Sequence, residues 1–385
     1  MSFSLKVLFF ILRILNSLIP KSNNKILFIS RPDYADNVKH MYDYFLNNNP
    51  ENKQLSWLIY DKYAYDVLLE EGVKNVFYLR TFLGIFEYLR SKYIFTSSSS
   101  LWQIKSPFQK QFGLWHGVPL KTILCMGEPH VRATRQAKSV DIRFATSNLT
   151  KALFSASFDF IAMNIKITGQ PRTDCLFRKD NVLYEFLGIE KNTYRKIVLY
   201  MPTYRSGYKN KNDGTDITDN NVFRFEKYNN EKFIDFLKKN KILFLMKLHP
   251  YEEKLYSDVI CGENINMISH ENLIRKKLDI HELLNNTDVL ITDYSSIYFD
   301  YLLLDKKLIF IPTDIDKYKS KRGFNLEPYE FWTPGEKVYT QDDLEQALLV
   351  DDRYRDKRRV VCDIVHTFQD ANACERVHTE VKEYG

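Results

Sequence analysis

What the chain has little of narrows it first. Glycine is sparse for an enzyme of this size, 13 of 385 residues, and no internal repeat or low-complexity run interrupts the sequence. The cysteines, Cys125, Cys175, Cys261, Cys362 and Cys374, are odd in number and form no CxxC pair. That argues against a disulfide framework and a structural zinc site, and for a reducing compartment. The most hydrophobic stretch, MSFSLKVLFFILRILNSLIP (1–20), is short for a spanning helix, is broken by Lys6 and Arg13, and is followed by no small-residue cleavage site. Neither a membrane span nor a secretory signal is expected from it. The net charge of +6 is too weak to argue for nucleic acid and fits anionic substrates or a membrane surface.

What is present describes a globular protein of two or three domains, 44% hydrophobic and 27% charged. Tyr and Phe are abundant, 25 and 27 residues, without periodicity, as core residues would be. In residues 1–20, Lys6, Arg13 and Ser17 share one side of a helical wheel, leaving an apolar face of Val7, Leu8, Ile11, Leu12, Leu15 and Ile19. The pattern fits an interfacial helix, ended by Pro20, on an anionic membrane surface; a plain amphipathic helix docked on the protein is the alternative. Short apolar runs then alternate with helical patterns: KILFIS (25–30), LSWLIY (55–60), NVFYL (75–79), YIFTS (93–97), FGLWHG (112–117), IRFATS (142–147) and IKITG (165–169). After a polar stretch at 188–195 a second series follows: KIVLYMP (196–202), KILFLMKLHP (241–250), DVLIT (288–292) and KLIFIP (307–312). Such alternation marks parallel α/β layers. The expected organisation is an amphipathic helix (1–20), two α/β domains (21–190 and 191–350) facing a cleft, and outer helices (351–385). A polar loop, 206–222, is expected over that cleft.

The most informative stretch is DVLITDYSSIYFD (288–300). It reads as a buried strand that enters a helix, running to Leu304, through Thr292, Asp293, Ser295 and Ser296, which are helix-capping types. Free backbone N–H groups and a helix dipole then meet at one point, which suits a phosphate; an ordinary N-cap is the plain alternative. Other strand ends carry His116, Gly117 and Lys121; Arg172 and Asp174; Arg205; Lys247 and His249; and Lys321 with Arg322. Open α/β sheets bind ligands beyond the carboxyl ends of their strands, where each of these groups falls. One histidine or arginine there is usually structural. Two histidines, several cations and a phosphate nest together are less easily so. The basic run from His130 to Arg143, with Arg132, Arg135 and Lys138, reads as a solvated face or a contact for an acceptor diphosphate or lipid headgroups.

In order along the chain, WHGVPLK, GQPRTD, MPTYR, KLHP, TDYSSIYFDYLLLDKKLIFIP and RGF resemble the CDP-glycerol glycerophosphotransferase family, the primases and polymerases of teichoic acids and related capsule polymers. The match covers roughly residues 110–335. Val118, Gln170, Tyr204 and Lys321 depart from the commoner Thr, aromatic, Trp and Pro, and none of them removes a charged or imidazole group. The resemblance implies a glycosyltransferase-B-like fold of two Rossmann-like domains. It also implies transfer of glycerol phosphate from CDP-glycerol to a hydroxyl of a polyprenyl-diphosphate-linked saccharide, with release of CMP, at the cytoplasmic face of the membrane. His116 would be the general base, because an imidazole titrates near neutrality. His249, with Lys247, Arg205 and Arg322, would hold the diphosphate and offset charge on departing CMP. Ser295 and Ser296 would donate to the same diphosphate, while Asp293 either orients His249 or Arg322 or caps the helix. The motifs show no metal cage and leave a need for Mg²⁺ open. A primase-like enzyme adding one unit is the expectation. A glycerol or ribitol phosphate polymerase, a Leloir glycosyltransferase and a non-catalytic glycopolymer-binding protein are the alternatives.

Overall fold

The computed structural model describes the whole chain except residues 1–2, 50, 99–100, 128–138, 205–220, 250–251, 254–255, 257–261 and 385. Two parallel sheets form its centre. The first holds β1 (Ser22–Ile29), β2 (Gln54–Ile59), β3 (Val76–Tyr78), β4 (Ser91–Thr96), β5 (Lys110–Gly113), β6 (Ile142–Ala145) and β7 (Ile165–Ile167), in the order β3-β2-β1-β4-β5-β6-β7. The second holds β8 (Lys196–Tyr200), β9 (Ile242–Met246), β10 (Ile265–Met267), β11 (Val289–Thr292), β12 (Lys307–Phe310) and β13 (Glu336–Lys337), in the order β10-β9-β8-β11-β12-β13. The continuous apolar runs predict strands covered on both faces, and β6, β9 and β11 are buried at every residue. All eleven strands expected from the sequence form. Two escaped: β10 is a three-residue strand and β13 a polar two-residue edge. FGLWHG is shorter as a strand than expected, because β5 ends at Gly113 and Leu114–Gly117 form the turn beyond it.

The halves pack against each other and the chain passes between them more than once. The helix Arg355–Val365 joins the second half through Val361, Cys362 and Val365. The last helix, Ala373–Tyr384, returns to the first half, packing Cys374, Val377 and Val381 with Phe28, Phe95 and Phe112. Residues 119–122 and 322–325 also pair across the halves. Thr122 N donates to Gly323 O (3.1 Å), Asn325 N to Leu120 O (2.7 Å), and the Asn325 side chain to the carbonyls of Pro119 and Lys121.

The N-terminal helix runs from Phe3 to Leu18. Phe9 and Leu12 pack on the cluster of Leu27, Ile29, Leu58, Tyr88, Ile94 and Ile104. Asn16 is buried and donates to Ile104 O (2.6 Å) and Gln109 Oε1 (2.8 Å). Positions 9, 12 and 16 share one helical face, so the apolar surface is split. One stripe docks on the protein, and Val7, Leu8, Phe10, Ile11, Ile14, Leu15 and Leu18 stay exposed. Among the described residues no helix is long and apolar enough to cross a membrane.

Candidate functional site

A cavity of about 340 Å³ lies between the halves, at the carboxyl ends of β1, β5, β8, β9 and β11. In the second sheet it sits where the strand order reverses between β8 and β11, the crevice that open sheets use for ligands. His116, Lys121, Arg172, Lys247, His249, Ser295 and Ser296 all line it.

The first half contributes the turn after β5. Trp115 has φ 57 and Gly117 φ 127, so the backbone reverses sharply around His116 and turns its ring outward. Asn37, fully buried, steadies this turn by donating to the carbonyls of Leu114 (3.4 Å) and Trp115 (3.1 Å), while its Oδ1 accepts from Arg172 N (3.1 Å). The His116 ring stacks on Trp115 with centroids 3.9 Å apart and hydrogen-bonds the backbone of Ser97. Desolvation by the cleft walls pushes its pKa down, to about 4; Asp36 opposes this, and Arg172 and Lys121 add to it. The ring is open to the cavity, and solvent on that side works against the shift. Either way the imidazole is neutral near pH 7. Gly117 lies directly against the second half: a Cβ there would meet Ser296 Oγ at 2.7 Å and Arg172 Nη2 at 2.9 Å.

The second half contributes the ends of β8, β9 and β11. His249 is exposed to the cavity and stacks on Tyr204, centroids 4.2 Å apart. Lys247 is buried, its ammonium 2.5 Å from Glu253 Oε1 and 2.8 Å from Leu248 O. Ser296 precedes the helix Ile297–Tyr301 without a side-chain capping bond, so its hydroxyl is not held by the helix it precedes. That helix is shorter than expected and tightens into a 3₁₀ turn at Leu302–Leu304. Thr292 and Asp293 hold the turn and do not line the cavity. Thr292 Oγ1 donates to Met201 O (2.7 Å), while Asp293 Oδ1 accepts from Thr203 N (2.7 Å) and Tyr294 N (2.5 Å).

The remaining expected residues take other places. Arg172 borders the cavity, but its guanidinium is held by Asp36 (2.7 Å) and Asp300 (2.6 Å). Burial works against its charge, and Asp300 and Asp36 outweigh that. Asp174 lies away from the cavity and caps the last helix, accepting from Ala373 N (2.9 Å) and Cys374 N (2.8 Å). Arg322 is not a lining residue; its carbonyl accepts from Thr122 Oγ1. Arg205 and residues 130–138 lie outside the described residues, as does most of the 206–222 loop. Arg143 is not on a solvated face: it is buried on β6, 3.8 Å over the Phe158 ring.

Along one wall of the cavity runs a buried charge network that local sequence patterns did not signal. Asp36 N donates to Asp279 Oδ2 (2.8 Å), Asp279 Oδ1 is 2.5 Å from His281 Nδ1, and His281 Nε2 is 3.3 Å from Asp300 Oδ2. Burial alone would raise the Asp300 carboxyl, but Arg172 and His281 hold it below the ordinary range. Lys39, also buried, pairs with Asp43 of its own helix (2.6 Å) and, across the halves, with Glu282 (3.1 Å). Among the described residues, His40, Asp279 and His281 form the one group able to hold a metal ion. A helix start at Asp36-Asn37 just after a strand could have flagged the first of these residues. A lone histidine in DIHELL carries no such flag.

The family model for CDP-glycerol:poly(glycerophosphate) glycerophosphotransferases matches residues 11–383. The chain is 27% identical to a teichoic acid poly(glycerol phosphate) polymerase of Bacillus spizizenii, over 89% of this chain and 87% of that protein. It is 26% identical to the teichoic acid ribitol-phosphate polymerase TarL of Staphylococcus aureus, over 93% of this chain and 62% of that protein. In structure it resembles the wall teichoic acid polymerase TagF, with TM-score 0.74 and 22% identity over 97% of this chain and 94% of that one. That likeness shows a glycosyltransferase-B-like fold.

Proposed function

We propose, for a chain that belongs to the CDP-glycerol:poly(glycerophosphate) glycerophosphotransferase family, that it transfers glycerol phosphate from CDP-glycerol to a hydroxyl of a polyprenyl-diphosphate-linked saccharide. One observation carries the reading: His116 and His249 come from opposite halves and open onto one cavity with Lys121, Lys247, Ser295 and Ser296. The ring of His116 is neutral near pH 7, and its backbone bond to Ser97 occupies one nitrogen. The other nitrogen then carries the lone pair that a general base needs. It takes the proton of the acceptor hydroxyl, whose oxygen attacks the glycerol-bearing phosphorus. The bond from that phosphorus to the CMP oxygen breaks in line, and CMP leaves with the electron pair. His249, Lys121 and the serine hydroxyls offset charge on the leaving and equatorial oxygens. Lys247 contributes less than a bare ammonium would, since Glu253 shares its charge. Arg172 acts at one remove, its backbone N bonded to the Asn37 side chain that also steadies the His116 turn.

Addition of one unit, as by a primase, is the proposed outcome. Repeated addition is the second reading, favoured by relatives named as polymerases whose sequences match most of this chain. The exposed stripe of the N-terminal helix supports attachment to the cytoplasmic face of the membrane, where a lipid-linked acceptor would lie. Incubation with CDP-glycerol, CDP-ribitol or a nucleotide sugar, and one synthetic lipid-linked disaccharide, tests the reading. Release of CMP with a single added glycerol phosphate supports it. A ladder of products selects the polymerase, and release of a nucleoside diphosphate overturns phosphotransfer.

A further inference from the structure

The geometry points to a divalent transition-metal site, of the zinc type, formed by His40, Asp279 and His281 and clamping the two halves together at the cavity wall. The three ligand atoms lie within 4.8 Å of one another. All three residues are buried, none more than 5% exposed. His40 comes from the helix Asp36–Asn47 of the first half, while Asp279 and His281 come from the start of the helix His281–Leu284 of the second.

Three observations lead to a cation rather than to a plain hydrogen-bonded cluster. The first is His40 Nε2, a buried nitrogen with no hydrogen bond within 3.5 Å, set 3.6 Å from Asp279 Oδ1 in a long ion-pair contact. Buried polar atoms are nearly always partnered, and a lone nitrogen facing a carboxylate and a second imidazole is arranged as a ligand is. The second is the outer layer. The far nitrogen of His281 meets Asp300 at 3.3 Å, and Asp300 is itself fixed by Arg172 at 2.6 Å. The other oxygen of Asp279 is fixed by the Asp36 amide at 2.8 Å. A carboxylate behind a ligating histidine orients the ring and raises its basicity, as in many zinc sites. The third is charge. Asp36, Asp43, Asp279, Glu282 and Asp300 converge on this region, against Arg172 and Lys39 as permanent cations. A divalent ion would add positive charge where these carboxylates outnumber the permanent cations.

The donor set decides the class of ion. Two imidazoles and one carboxylate suit Zn²⁺ or Co²⁺, whereas Mg²⁺ and Ca²⁺ prefer all-oxygen shells. Asp279 and His281 also line the cavity that His116 overlooks, so an ion held here would lie beside it. With ligands drawn from both halves, the binding free energy of the ion favours the closed arrangement.

The test uses the full chain with any affinity tag removed, stripped with a chelator and titrated with Zn²⁺, and with Co²⁺ as a spectroscopic probe. The expected result is one ion retained per chain after dialysis, visible-region Co²⁺ bands of a low-coordinate N/O site, and a higher Tm with metal. His40→Ala removes a ligand whose Nε2 makes only a long contact to Asp279, so circular dichroism should match the parent while Zn²⁺ affinity falls at least about 100-fold, the upper end of what losing an outer-layer partner costs. Asp300→Asn should weaken binding about 10–100-fold through the His281 ring. Failure of the unaltered chain to retain an ion would overturn the site, and that arm does not depend on any variant folding. Binding in His40→Ala as tight as in the parent would place the ion elsewhere and also overturn it. Retention of Mg²⁺ in preference to Zn²⁺ would refute the donor-set argument.

Discussion

Replacing Gly117 with alanine should cost far more activity than stability. Two separate penalties meet at this position. The backbone sits at φ 127, a region L-residues rarely adopt, and holding a side chain there costs about 1–3 kcal/mol. The new Cβ would also lie 2.7 Å from Ser296 Oγ, 2.9 Å from Arg172 Nη2 and 3.1 Å from Ser296 Cβ. The serine hydroxyl can rotate away. The guanidinium cannot readily yield, because Asp36 and Asp300 grip it at 2.7 and 2.6 Å. The turn itself must therefore shift by several tenths of an ångström and carry His116 with it. Misplacement of a catalytic group by about 1 Å costs on the order of 100-fold in rate. A stability loss of a few kcal/mol leaves a domain of ordinary stability, about 5–15 kcal/mol, largely folded. Gly188→Ala supplies the control, since Gly188 has φ 66 with nothing within 4 Å of a Cβ. It meets the backbone penalty without the contact. Measured by CMP release and thermal unfolding, Gly117→Ala should fall about 10–100-fold in kcat, the upper figure being that for a full 1 Å misplacement, while Gly188→Ala stays within about threefold of the parent, the contact penalty being absent. Equal kcat values in the two variants would refute the claim that this close approach positions His116.

His116→Ala should lower kcat by about 10²–10⁴-fold, and turnover at the parental rate would remove the general-base assignment. His116 must be deprotonated to act, and burial depresses its pKa. Activity is therefore lost only as pH falls below the ordinary histidine range, and the acid limb of kcat/KM should lie below pH 6.5. The charged groups facing the ring are Asp36, Arg172 and Lys121, so Lys121→Gln, which removes a cation, should move that limb to higher pH. An unmoved limb would assign it to another group. Asp174→Ala should lower Tm with KM for the donor unchanged. It strips two buried amides of their acceptor and should cost about 2 kcal/mol, in the range of a lost helix cap. A raised KM with unchanged Tm would return Asp174 to the ligand. Phe10→Glu with Ile14→Glu, on the exposed stripe of the N-terminal helix, should shift the protein from anionic vesicles to the supernatant in a flotation assay. Unchanged partitioning would remove the helix from any role at the membrane.

The strands were legible because a strand covered on both faces must be apolar at nearly every position, and such runs stand out between helical patterns. His116, His249, Ser295 and Ser296 were legible for a related reason: polar residues that directly follow buried strands mark sheet ends. The charge network was not legible. Asp36 meets Asp279 across 243 positions and Arg172 meets Asp36 across 136, and no local spacing encodes such pairs. Asp174 was misleading on the same ground, since its partners Ala373 and Cys374 lie about 200 positions away. A carboxylate after a turn looks like a ligand until the helix it caps is seen. Thr292 and Asp293 divide in the same way from Ser295 and Ser296: all four are capping types, yet the first two brace the turn and the second two face the cavity.

The return of the last helix to the first sheet has a mechanical consequence. The chain crosses between the halves near residues 177–182 and again near residues 366–372, where Thr367 N donates to Thr146 O (2.9 Å) and the His366 ring meets Phe299 O (2.8 Å). Bodies joined by one strand can swivel and twist freely; joined by two, they are limited to rocking about the line through both crossings. Any opening of the cavity between the halves is then confined to rocking about that line. A proteolytic cut at either crossing should release that restraint while leaving each sheet intact.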